Sequence, residues 1–151
     1  FLDGAIVGVT VARNEQGLTL NRRFGGDGLP TTDIEVLNNL VRDNWFHGIT
    51  LNGGARFVIR GNRLAGNGAG PANGVALFLY DATSILVAGN TIVENHQSGI
   101  AILMGQLGHT VVENTVLRNG TPDLEDDNCR GNTWARNRYA TAWWAACPAP
   151  R

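Results

Sequence analysis

The sequence predicts an all-β fold: a single-stranded, right-handed parallel β-helix of about five to six coils, each of roughly 24 residues. Three observations predict it. One short pattern, Asn-x-apolar-x-x-Asn, recurs along the chain. Two strand-like apolar segments keep phase with that pattern. Composition suits a repeat rich in turns, with 20 Gly in 151 residues and only 17% charged residues, against ordinary values of ~7% and ~25%.

The Asn pattern comes first. It reads Asn39-Leu40-Val41-Arg42-Asp43-Asn44, then recurs from Asn62 to Asn67, Asn90 to Asn95, Asn114 to Asn119 and Asn132 to Asn137. A degenerate copy runs from Val9 to Asn14. The leading asparagines are 23, 28, 24 and 18 positions apart. Asn tolerates left-handed backbone at sharp turns. Stacked at one coil spacing of about 4.8 Å, equivalent side chains can hydrogen-bond into a ladder. That structural role accounts for all ten asparagines together.

Before each Asn lies an alternating apolar segment: Ile34-Glu35-Val36, Phe57-Val58-Ile59, Ile85-Leu86-Val87 and Thr110-Val111-Val112. After it comes Gly with a short apolar strand: Gly17-Leu18-Thr19-Leu20, Gly48-Ile49-Thr50-Leu51, Gly74-Val75-Ala76-Leu77 and Gly99-Ile100-Ala101-Ile102. A fifth copy, Asp123-Leu124, keeps the spacing and loses the strand. Each coil thus carries three short strands whose alternate residues face inward. A single coil cannot bury its apolar face, whereas stacked coils can. The reading requires Val36, Ile59, Val87 and Val111 to superpose along one axis. Residues 1–140 form the repeats and 141–151 a terminal tail of the same domain.

The ends need cover, because an open solenoid edge can pair with another chain. Trp134, Tyr139, Trp143 and Trp144 crowd the C-terminus as candidate cover. Cys129 and Cys147, 18 residues apart, read as a disulfide tying that end, which places the protein in an oxidising, secreted or extracellular setting. The Asn-x-apolar-x-x-Asn and Gly-Ile-x-Leu elements, over about residues 5 to 140, resemble the right-handed parallel β-helix proteins of the pectin-lyase-like superfamily. The segment from Asp123 to Trp134 with Cys147-Pro148 is similar to the C-terminal end of many secreted bacterial members. That resemblance implies fold more than function. The superfamily holds lyases, hydrolases, epimerases, tail-spike domains, copper-enzyme maturation accessories and non-enzymes.

Net charge of -1 without clustered Lys and Arg gives no nucleic-acid footprint. No apolar run reaches the ~18 residues that span a bilayer. No signal peptide is visible, and the chain opens inside a strand-like pattern, so a missing N-terminal part is expected.

In carbohydrate-active relatives the groove follows the outward face of the strand after the Gly. Here those positions are Thr19 and Asn21, Thr50 and Asn52, Ala76 and Phe78, and Ala101 and Leu103, none of them ionisable. The paired carboxylates of a glycosidase are absent from that set. Other candidates lie on loops. Arg22, Arg23, Asp27 and Asp33 sit in the longest polar insertion, which is either a carbohydrate clamp or a solvated loop. His47, near Asp43, is either an acid–base group or a turn residue. Trp45 and Phe46 offer a sugar-stacking surface or cover a coil junction. His96 and His109 read as ordinary turn and strand-end residues. The run Asp123, Glu125, Asp126 and Asp127 is a possible calcium site without EF-hand spacing, and otherwise a surface turn. Leu37, Val58, Leu86 and Val112 would form an apolar strip fit for a second subunit, a missing N-terminal region or residues 140–151.

Two functions follow. The favoured one is a secreted β-helix domain that binds or scaffolds on extracellular polysaccharide, with no catalytic groove and no cofactor. The other is a polysaccharide lyase, epimerase or hydrolase, or a fragment of one, with catalytic residues on the long loops or in a missing N-terminal part.

Overall fold

The computed structural model describes residues 4–21, 31–71, 74–104, 106–128 and 131–144. They form a parallel-stranded β-solenoid of three six-stranded sheets, with no α-helix among the described residues. Each coil gives one strand to each sheet. The first sheet contains Gly4–Val7, Ile34–Leu37, Val58–Arg60, Leu86–Ala88, Thr110–Val112 and Thr133–Ala135. The second contains Thr10–Ala12, Leu40–Arg42, Arg63–Ala65, Thr91–Val93, Thr115–Leu117 and Arg138–Tyr139. The third contains Leu18–Asn21, Ile49–Asn52, Leu77–Tyr80, Ile100–Ile102, Leu124–Asp126 and Ala142–Trp144.

The core is a set of straight columns. Ile6, Val36, Ile59, Val87, Val111 and Trp134 stack in register in the first sheet. Val11, Val41, Leu64, Ile92, Val116 and Tyr139 do so in the second. The third supplies two inward columns: Leu18, Ile49, Leu77, Ile100, Leu124, Ala142, and Leu20, Leu51, Leu79, Ile102, Asp126, Trp144. Ile59, Val87, Leu77 and Ile100 are wholly buried, and each such side chain contributes roughly 1.5–3 kcal/mol relative to exposure.

Two amide ladders run beside these columns. In the first, the Nδ2 of Asn39, Asn62, Asn90 and Asn114 donates to the Oδ1 of the next, ending on Asn137, at 2.9–3.0 Å. In the second, Asn44, Asn67, Asn95 and Asn119 do the same at 2.8–3.0 Å, ending on Asp123. Within the first ladder each Oδ1 also accepts a backbone N–H from the coil before, and each Nδ2 also donates to a carbonyl of that coil. Every polar atom of a buried rung is thereby used.

The reason for Asn differs from the expected one. The left-handed residue is its predecessor. Asn38, Gly61, Gly89, Glu113 and Arg136 have φ of 54–66° before the first ladder, and Arg13, Asp43, Gly66, Glu94 and Arg118 have φ of 55–65° before the second. The predecessor makes the corner, and the Asn side chain then satisfies the backbone groups that the corner releases.

Three phase assignments also change. The partner of Asn114 is Asn137, and Asn132 instead precedes a first-sheet strand, where its Oδ1 accepts from the His109 N–H at 3.0 Å. In the third coil the strand begins at Leu77, because Ala76 and not Gly74 occupies the position equivalent to Gly48. The segment after Asp123 keeps its strand, Leu124–Asp126, paired with Ile100–Ile102. Asp123 ends the second ladder: its Oδ1 accepts from Asn119, and its Oδ2 from the N–H of Ala140 and Thr141 at 3.0 and 3.1 Å.

At the C-terminal end Trp134 and Trp144 meet edge to face at 5.0 Å, and Trp143 is largely exposed. Cys129 and Cys147 lie outside the described residues.

Candidate functional site

The third sheet turns one column away from the core: Thr19, Thr50, Phe78, Ala101, Glu125 and Trp143, of which Ala101 is fully covered. A second outward column holds Asn21, Asn52 and Tyr80. This face was expected to carry no ionisable group. It carries Glu125, because the fifth coil retains its strand, and Tyr80, because the third coil starts later than its Gly suggests.

Three rings lie in a row on this face. His47 stacks on Phe78 at 5.1 Å between ring centres, and Phe78 on Tyr80 at 6.1 Å, with interplanar angles of 25° and 18°. Beside the row is a pocket of about 430 Å³, walled by His47, Phe78, Ser98, Leu103, Pro122 and Glu125. Its walls come from four successive coils. Ser98 and Pro122 sit on turns that lead into third-sheet strands, so their spacing in sequence gives no sign that they meet. The Ser98 hydroxyl donates to Glu125 Oε2 at 2.7 Å and fixes that carboxylate at the pocket wall. Thr50 Oγ1 is buried on the same face without a partner among the described residues.

His47 is oriented by the backbone. Its Nδ1 accepts the Val75 N–H at 2.9 Å, so the neutral ring carries its proton on Nε2. Burial lowers its pKa below the ordinary histidine value, against the opposing effect of the Val75 contact. The expected pairing with Asp43 does not form, since Asp43 pairs with Arg42 at the surface. With its Nδ1 lone pair taken by the Val75 N–H, the ring can donate one hydrogen bond from Nε2 and offer an apolar face.

The other candidates are dispersed. Arg22, Arg23 and Asp27 lie outside the described residues. Asp33 forms a two-pronged ion pair with Arg56 at 2.6 and 2.7 Å, and the Arg56 bonds hold its pKa at about 2. Trp45 is exposed and rests over Gly70, away from the pocket walls. The acidic run does not converge on calcium. Strand alternation turns Asp123 and Asp126 into the core, where backbone amides, Asn side chains and the Trp134 indole use their oxygens, while Glu125 points outward. The apolar strip is broken. Val58 and Leu86 stack between Glu35 and Thr110, while Leu37 and Val112 belong to a different column interrupted by Arg60 and Ala88.

His109 is not an ordinary strand-end residue. It occupies the corner column of Phe57 and Ile85, next to Asp126, and is buried. Its Nδ1 accepts the Ile85 N–H at 3.3 Å, and its Nε2 has no partner among the described residues.

A model of the NosD family, described as periplasmic copper-binding protein, matches residues 4–143. Copper sites draw on thiolate, thioether and imidazole donors. Here His47 and His109 each spend Nδ1 on a backbone N–H. No group of three or more His, Cys, Asp or Glu among the described residues is placed to hold a metal ion. The described residues therefore do not fit a copper centre. No curated protein and no solved structure matches the chain. With the parallel solenoid observed throughout and the family match spanning nearly all of it, the chain belongs to the NosD family of pectin-lyase-like parallel β-helix proteins.

Proposed function

We propose that this chain is a non-catalytic binding scaffold acting outside the cytoplasm, and that the groove on its third sheet holds a stretch of polysaccharide. The observation that carries the reading is the row His47, Phe78 and Tyr80 beside the pocket of about 430 Å³. Aromatic faces suit the C–H faces of sugar rings, while Ser98, Glu125 and the His47 Nε2–H supply a few directional polar contacts. Binding sites for small ligands commonly combine these two features. A single carboxylate lines the pocket among the described residues, and glycoside hydrolysis generally needs two.

The test is a calorimetric and NMR titration with neutral, acidic and amino oligosaccharides of three to six units. Binding is expected with at least one class, and Phe78→Ala is expected to weaken it at least tenfold while leaving the circular dichroism spectrum unchanged. Failure of every class to bind refutes the proposal. Chain cleavage, or an unsaturated product absorbing in the ultraviolet, supports the lyase or hydrolase reading instead.

The family description favours copper as a second ligand. Equilibrium dialysis of the purified chain against copper, in both oxidation states, tests that reading independently of any glycan.

A further inference from the structure

The chemistry of the pocket wall selects among glycans. Among the described residues it is lined by His47, Val75, Phe78, Gln97, Ser98, Leu103, Thr121, Pro122 and Glu125, so of these Glu125 is the one acidic group and none is Lys or Arg. Four surface carboxylates among the described residues have cationic partners. Asp33 has Arg56, Asp43 has Arg42, Glu94 has Arg118 and Glu113 has Arg136. Glu125 instead has a neutral hydroxyl. The Ser98 bond uses one lone pair of Oε2, and no bond is formed by Oε1 among the described residues. A carboxylate on the wall of a pocket with no cationic partner among the described residues attracts a cation.

The remaining walls agree with this. Burial lowers the His47 pKa below the ordinary histidine value, and its Nδ1 accepts the Val75 N–H, so the ring faces the pocket as a neutral donor. Phe78 lines the same cavity, and an aromatic face attracts a nearby ammonium group. A uronic acid entering here would place its carboxylate against Glu125 with no Arg among the described lining residues to receive it.

We infer that the pocket recognises a protonated amino group on a sugar, which makes the preferred ligand an amino-sugar oligosaccharide with free amines. This rests on the groove reading above. Glu125 is the specificity-determining residue: its carboxylate accepts from the ammonium, Ser98 fixes the carboxylate, and Phe78 covers the adjacent ring face. A charge-assisted hydrogen bond of this kind contributes about 1.5–3 kcal/mol, so the free amine is expected to bind at least about tenfold tighter than its N-acetylated counterpart.

The experiment compares four probes on the whole chain by titration calorimetry at neutral pH: a β-linked glucosamine tetramer, its fully N-acetylated form, a uronate tetramer of equal length, and a linear polyamine of equal charge. The wild type is expected to rank the glucosamine tetramer first and the uronate last. Glu125→Gln is expected to bring the amine and N-acetyl forms within about twofold of each other. Glu35→Gln, on the outward face of the first sheet, is the control for general electrostatics and is expected to leave the ranking unchanged. Equal binding of amine and N-acetyl forms by the wild type overturns this inference and leaves the groove reading standing. No binding of any sugar overturns both. A preference that survives Glu125→Gln, that is lost equally in Glu35→Gln, or that the polyamine matches overturns the assignment to an amino sugar at this pocket.

Discussion

The amide ladder makes a demand that one substitution tests. Asn90 sits at its middle and is 1% exposed. Its Oδ1 accepts from the Asn62 N–H at 2.9 Å and the Asn62 Nδ2 at 3.0 Å, while its Nδ2 donates to the Ile59 carbonyl and to Asn114 Oδ1, both at 2.9 Å. Leucine has the same branched skeleton of heavy atoms but no polar atom. Asn90→Leu therefore leaves the buried Asn62 N–H without an acceptor, at a cost of about 1–3 kcal/mol. The three other bonds contribute about 0.5–1.5 kcal/mol each. The total is about 2.5–7.5 kcal/mol, much of the stability of an ordinary domain. For a chain of this length that corresponds to a fall in Tm of about 5–30 °C. Asn39→Leu is the internal comparison: its Oδ1 serves the Val9 N–H in the first coil, where Val9 is 40% exposed. Water can replace that acceptor, so a loss of less than half as much is expected. Thermal unfolding followed by circular dichroism gives both values, and amide hydrogen exchange reports the Asn62 N–H directly. A loss below about 1 kcal/mol for Asn90→Leu, or an Asn62 amide still protected in that variant, would refute the ladder as a source of stability.

Two further outcomes follow from single positions. Burial drives the His109 pKa down to about 4, with Asp126 opposing. The unfolded chain therefore binds this proton first, and stability is lost as pH falls from about 6.5 toward 4. His109→Gln is expected to flatten that part of the stability–pH curve, measured by urea unfolding at several pH values; an unchanged slope would show that the ring is not held neutral. A Cβ added to Gly48 would stand 2.5 Å from the Ala76 carbonyl oxygen, inside the contact between neighbouring coils. Gly48→Ala is expected to destabilise by about 1–3 kcal/mol, and a neutral result in the same unfolding assay would contradict the close approach of these two coils.

The columns of the core were legible in the sequence because alternation and spacing are local signals. Val36, Ile59, Val87 and Val111 superpose as their repeats imply. Phase was harder at the C-terminal end. Asn132 and Asn137 are both asparagines five residues apart, and only the strand register shows which one continues from Asn114. Asp123 was unrecognisable as a ladder member because it contributes acceptors alone, which suffices at a terminus where nothing beyond needs its donors. The pocket was missed for a different reason. Glu125 lies 24 residues after Ala101, so its outward position follows once Leu124–Asp126 is read as a strand. Ser98, Pro122 and His47 lie on turns, and turn residues have no alternation from which their direction can be inferred.

Members of the column Ile6, Val36, Ile59, Val87, Val111 and Trp134 are separated by 30, 23, 28, 24 and 23 residues. The surplus in the first interval falls between Asn21 and Ile34, and that in the third between Ala65 and Leu77. Both insertions border the third sheet, one on each flank. Lengthening there leaves every hydrogen-bonded rung in place, since no ladder Asn moves relative to its neighbours. The lengths of the two segments flanking the third sheet can therefore vary while the stacked rungs, and the fold they hold together, stay the same.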